Sequence, residues 1–160
     1  MRSNRAVYHS DGINSQSDWH WMSTTTGLIG EYQAAAIVLS LGWRVSMCPQ
    51  DKVDLLAWKD DEFIRIQVKT ASLLLQKGKR LPCYHFQFGH GRQNKIIGSV
   101  KDYDILCCVG YQHRKAVFLP VSEVQQKSKR MSPKLFDEDK AEFYSFNKAL
   151  AAVRGRRDNQ

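Results

Sequence analysis

The chain lacks any Cys-x-x-Cys pair, and that absence narrows its chemistry. Its four cysteines are Cys48, Cys83, Cys107 and Cys108. The nearest approach to a zinc-ligand set is Cys83, His85, His90 and Cys107, whose spacing fits no standard zinc pattern. Cys107 and Cys108 lie in the apolar run from Ile105 to Val109, where they read as small core residues. Such cysteines predict a reduced, intracellular setting (cytoplasm, nucleoid or phage-infected cell) rather than secretion. No apolar run reaches the roughly 18 residues of a transmembrane helix, so neither a span nor a membrane partner is expected. The opening residues, Met1-Arg2-Ser3-Asn4-Arg5, are basic but lead into polar sequence without the apolar stretch of a secretory signal. There is no internal repeat and no long low-complexity segment.

Acidic residues are also in short supply: 16, against 24 Lys and Arg, for a formal net charge of +8. That balance favours a polyanionic partner, nucleic acid before membrane. Basic residues cluster at Lys77-Lys79-Arg80, Arg92-Lys95, Arg114-Lys115, Lys127-Lys129-Arg130 and Arg154-Arg156-Arg157. Most of these fall in predicted loops or the C-terminal tail, within reach of phosphates.

At 160 residues, with 42% apolar content, the chain is read as one packed domain. Residues 1–22 read as a mobile or loosely docked arm, residues 23–153 as the domain, and residues 154–160 as a flexible basic tail. Ser23-Thr24-Thr25-Thr26 offers cap hydroxyls for a helix from Gly27 to Leu41, stopped by Gly42. Its predicted packing stripe is Leu28, Tyr32, Ala35, Val38 and Leu39, with Glu31 inside the stripe. A short strand is expected at Trp43–Met47, a loop at Cys48–Asp51, and further strands at Tyr84–Phe88, Tyr103–Val109 and Ala116–Val121. A last helix is expected over Asp137–Val153, packing through Phe143, Phe146, Leu150 and Val153. The order predicts an α/β fold, a mixed central sheet flanked by helices.

The richest stretch is Val53-Asp54-Leu55-Leu56-Ala57-Trp58 followed by Phe63-Ile64-Arg65-Ile66-Gln67-Val68-Lys69-Thr70. With Asp60-Asp61 as a two-residue turn, Lys59 pairs with Glu62 and the register carries Asp54 opposite Gln67. Alternation puts Lys69 on the face of Gln67 and leaves Ile64, Ile66 and Val68 for the core. An acid, an amide and a lysine then converge at one end of an otherwise apolar hairpin. Metal-assisted phosphodiester cleavage uses such groups. It needs a nucleophilic water and a stabilised leaving oxygen, and divalent cations supply both. Mg²⁺ takes hard oxygen ligands, usually one or two carboxylates with phosphate and water. Asp54 is the first ligand candidate, Glu31 the second carboxylate, and the Gln67 carbonyl a neutral third. Lys69 either handles the attacking water or stabilises phosphate charge. Taken singly, each residue has a plain alternative: a strand-end aspartate, a helix-edge glutamate, the solvent face of a strand.

Together, Gly27-x-x-Gly30-Glu31, Asp54 and Gln67-Val68-Lys69-Thr70 resemble the PD-(D/E)xK nuclease superfamily. The resemblance is strongest to group I intron-encoded homing endonucleases and archaeal-type Holliday junction resolvases, and it covers about residues 24–125. It implies a restriction-endonuclease-like core with Glu31, Asp54 and Gln67 at the metal and Lys69 catalytic. It also implies Mg²⁺ as cofactor, with Mn²⁺ able to substitute. Thr70 either contacts phosphate or supports the site. The chain departs from the pattern in having Gln at position 67 and Val before Asp54. The implied activity is endonucleolytic cleavage of double-stranded or branched DNA. A homing-type enzyme is the first expectation and a junction resolvase or silent DNA-binding module the alternatives. Two active sites per target imply a homodimer or homotetramer. The candidate DNA contacts are Thr70, Lys77, Lys79, Arg80, Arg92, Gln93, Asn94, Lys95, Arg114 and Lys115.

Overall fold

The computed structural model describes residues 16–50, 52–75, 81–89 and 95–159, with residues 16–22 and 49 described by backbone only. Helix α1 (Gln16–Ser40) leads into β1 (Arg44–Gln50), β2 (Val53–Lys59), β3 (Glu62–Ala71) and the short β4 (Leu73–Leu74). Then come β5 (Cys83–Gln87), β6 (Ile105–Gly110), β7 (Lys115–Pro120), β8 (Ser128–Met131), α2 (Lys134–Asp137) and α3 (Ala141–Arg157). The main sheet has the order β1-β2-β3-β6-β7, and a smaller sheet has the order β4-β5-β8. Within the main sheet β3 and β6 run parallel and the other neighbours antiparallel. This is the mixed, helix-flanked α/β architecture that the sequence predicts.

The main sheet is covered on both faces, which is why every residue of β6 is buried. On one face, Leu55, Ala57, Ile64, Ile66, Val68, Cys107 and Phe118 pack against Ala34 and Val38 of α1 and Phe146, Leu150 and Val153 of α3. On the other, Leu106 and Cys108 pack against Tyr84 and Phe86 of β5, Met131 of β8 and Phe136 of α2.

Three expectations are corrected here. First, α1 begins by Gln16, so Ser23–Thr26 lie inside the helix rather than capping it. No proline interrupts residues 16–40, and hydroxyl side chains are tolerated mid-helix. Second, the helix packs through Gly30, Ala34 and Val38, spaced by four, while Leu28, Tyr32 and Leu39 are about half exposed. Small residues win because they let α1 lie close to the sheet. The helix ends as expected at Gly42, whose φ of +84° permits the turn bonds Gly42 N–H to Leu39 O and Trp43 N–H to Val38 O.

Third, the final helix is split, with Lys140 in left-handed conformation between α2 and α3. Phe143, expected inside, is 51% exposed, and Ala149 takes part in the packed side instead. Arg154, Arg156 and Arg157, expected in a flexible tail, belong to α3 and are paired. Arg154 grips Glu62 at the β2–β3 turn, at 2.7 Å. Arg156 and Arg157 reach the buried Asp104, which also accepts from the backbone and side chain of Arg65. β1 also extends to Gln50, through part of the loop expected at Cys48–Asp51.

Candidate active site

The site forms where α1 meets the open end of the β2–β3 hairpin. The turn at Asp60-Asp61 sets Lys59 opposite Glu62 and keeps the register through Leu55 opposite Ile66. One step further, Gln67 Nε2 donates to Asp54 Oδ2 at 2.5 Å, and the Val68 amide donates to the same oxygen at 2.6 Å. Asp54 is thereby locked across the strand, with Oδ1 making no hydrogen bond among the described residues. Because the Gln67 nitrogen is committed to Asp54, its carbonyl oxygen is the atom left for another partner. Lys69 shares this face of β3 and pairs in register with Cys108 of β6.

Glu31 arrives from α1 through a close helix–strand contact. A Cβ on Gly30 would lie 1.8 Å from Thr70 Oγ1, so only glycine lets the helix approach β3 this closely. The Thr70 hydroxyl itself is buried and has no hydrogen-bond partner among the described residues. That contact carries the neighbouring Glu31 into the field of Asp54 and Lys69. Burial, then the charge of Asp54, raises the Glu31 carboxyl above its ordinary value, with Lys69 opposing. Burial also raises Asp54, against the pull of the Val68 amide and of Lys69. Two half-buried carboxylates, both disfavoured as anions by burial and one of them by the other's charge, are a favourable setting for a hard cation. Two carboxylates and an amide oxygen fit the ligand demand of Mg²⁺. No group of three or more His, Cys, Asp or Glu placed to hold a metal ion occurs among the described residues, and position 67 is glutamine.

Residues 22–151 match the PD-(D/E)XK endonuclease family. The chain belongs to that family. A solved structure titled as that of a bacterial homing endonuclease, I-Ssp6803I, matches with a TM-score of 0.60 over 86% of this chain and 98% of that one. At 17% identity the likeness is one of fold. No curated protein matches the chain. Membership makes the chain a member of a nuclease family, with DNA the implied substrate, and nucleases of this family generally use divalent metals.

The structure therefore brings Glu31, Asp54, Gln67 and Lys69 together. The other candidate residues are more spread. Lys95 hydrogen-bonds Gln87 at the end of β5, at 3.0 Å. Arg114 closes the β6–β7 turn and Lys115 opens β7, where Lys115 pairs with Gly110 and Gly110 with Ala71, two residues beyond Lys69. Lys77, Lys79, Arg80, Arg92, Gln93 and Asn94 lie outside the described residues. Arg65 points to the face of Gln67 and Lys69, but its guanidinium is engaged by Asp104 and by the carbonyls of Val100 and Lys101. His113 is held by Tyr84 and Asp137, a structural role. Sequence reasoning missed the purpose of Gly30. Its only signal was a glycine directly before the one acid in the helical stripe.

Proposed function

We propose that this chain is a Mg²⁺-dependent endonuclease that cuts duplex DNA at specific sites, with Mn²⁺ able to substitute. The observation that carries this reading is the convergence of Glu31 and Asp54, each raised by burial, beside Gln67 and Lys69. Glu31, Asp54 and the Gln67 carbonyl would hold the cation, and a divalent cation there would supply Lewis-acid polarisation of phosphate and water. Asp54 stays oriented because Val68 and Gln67 fix its Oδ2. Lys69 either takes a proton from the water or balances charge on the phosphate. Thr70 supports the site through its contact with Gly30. The homing-endonuclease fold neighbour supports a site-specific duplex cut. Cutting both strands needs two such sites, so a homodimer or homotetramer is part of the proposal, as is an intracellular location beside the DNA. Exposed Leu28, Tyr32 and Leu39 on α1 and Phe143 and Tyr144 on α3 offer apolar surface for assembly.

The test is cleavage of a plasmid library with randomised inserts and of four-way-junction DNA, with Mg²⁺ and with EDTA. Discrete linear products from the library support the proposal. Cutting of the junction alone would replace it with a resolvase. Binding without any cutting would replace it with a silent DNA-binding module.

A further inference from the structure

The net positive charge of the chain falls in two acid-free segments, which carry β3 beyond Glu62 and the three strands of the small sheet. Residues 63–101 and 124–136 contain 12 of the 24 Lys and Arg and none of the 16 acidic residues. The rest of the chain is net negative, at −4, from the other 12 basic and all 16 acidic residues. β4, β5 and β8 all lie in the acid-free segments. Outside these segments Lys52 pairs with Asp102, Lys148 with Glu123, Arg154 with Glu62, and Arg156 and Arg157 with Asp104, while inside them Arg65 is also held by Asp104. Lys129 and Arg130 of β8 are exposed, and neither joins an ion pair among the described residues.

The register shows where these charges point. Lys129 pairs with Phe86 and Arg130 with His85. Phe86 is fully buried against the main sheet, so Lys129 starts from the inner face, toward the catalytic side, while Arg130 lies on the outer face with His85 and Gln87. Burial pushes the Cys108 thiol up, and the two positive charges that oppose this are Lys129 and Lys69, so both ammonium groups stand within electrostatic reach of one residue. β8 is an edge strand of its sheet among the described residues. β3 reaches β4 across one residue after Ala71, so Leu73 lies about 13 Å along the chain from Lys69, well within the footprint of one bound duplex.

We propose that the β5–β8 ribbon is the surface that seats duplex DNA against the catalytic face, with Lys129 and Arg130 gripping phosphates from its two sides. This rests on the nuclease reading above for its choice of partner. β8 is the exposed edge of this sheet, and two neighbouring basic side chains on such an edge suit the phosphates of a duplex laid along it. A charged edge strand also guards against edge-to-edge pairing. That role does not call for two cations, without an ion pair among the described residues, in segments free of every acid.

The experiment measures binding of a short labelled duplex in EDTA across a salt series, for wild type, Lys129→Ala with Arg130→Ala, Lys129→Arg with Arg130→Lys, and Lys148→Ala. The double alanine variant is expected to bind more weakly and to flatten the log K against log salt slope by about 2, while the charge-preserving pair and Lys148→Ala keep the wild-type slope. Thermal melting confirms that each variant is folded. An unchanged slope and affinity for the double alanine variant, or no duplex binding by wild type at low salt, overturns the proposal. Cleavage under Mg²⁺ separates the two readings. A flattened slope with no cutting by wild type would sink the nuclease reading and leave the ribbon. An unchanged slope with normal cutting would do the reverse.

Discussion

Replacing Gly30 by Ala should damage cleavage far more than stability, and the structure gives the size of both effects. The new Cβ would sit 1.8 Å from Thr70 Oγ1, where ordinary contact begins at 3.4 Å, so about 1.6 Å must be found. Rotating Thr70 does not find it, because Thr70 Cβ and Cγ2 would each lie at 2.9 Å. Helix α1 must therefore retreat, and Glu31 moves with it. Overpacking of this kind costs about 1–3 kcal/mol, partly offset by the roughly 0.5–1 kcal/mol by which alanine favours a helix over glycine. A net loss of about 1–2 kcal/mol lowers the melting temperature by a few degrees. A catalytic group displaced by an ångström or more costs on the order of 100-fold in rate. Gly27→Ala is the internal control, since a Cβ there meets nothing within 4 Å and should leave stability level or raised and cleavage intact. The assay is single-turnover cleavage beside thermal melting. Gly30→Ala cutting within about threefold of wild type, with an unchanged melt, would refute the argument that this contact sets Glu31.

Three other outcomes follow from the same geometry. Asp54 and Glu31 are both raised in the folded chain, so stability falls as pH rises from the ordinary carboxylate range through their raised values. In EDTA, Asp54→Asn should therefore melt higher than wild type at neutral pH, with the gap closing near about pH 4, and it should not cut. Asp104 behaves in the opposite sense: burial alone would raise it, but hydrogen bonds from Arg65 and Arg156 prevail and hold its carboxyl below the usual range. Its contribution is present at neutral pH and is lost as pH falls below that range. Asp104→Ala, which takes a shared carboxylate from three partly exposed guanidinium groups, should cost about 1–3 kcal/mol by denaturant unfolding at neutral pH. Gln67→Glu adds a third carboxylate and should tighten Mg²⁺ binding by calorimetry, though cleavage should fall if the added charge repels phosphate.

The β2–β3 hairpin was legible in the sequence because every step of its argument is local. A two-residue turn sets the register, a period of two sets the faces, and Asp54 then meets Gln67 within 13 residues. The helix was less legible. A stripe reading weights large apolar residues, whereas α1 docks through Gly30, Ala34 and Val38, and the reason lies 40 residues away at Thr70. The last turns of α3 were misread for a similar cause. Arg156 and Arg157 look like a loose basic tail until Asp104, more than 50 residues earlier, is placed beside them. The charge partition was open to counting, but its meaning depends on β5 and β8 pairing across more than 40 residues.

The most direct test of the central claim is single-turnover cleavage of a duplex recovered from the plasmid library, comparing wild type with Lys69→Ala and Asp54→Ala in Mg²⁺ and in EDTA. The account predicts cutting by wild type in Mg²⁺ alone, with both variants folded, still binding the duplex and inactive. Wild-type cutting that survives EDTA, or either variant cutting at the wild-type rate, would contradict it.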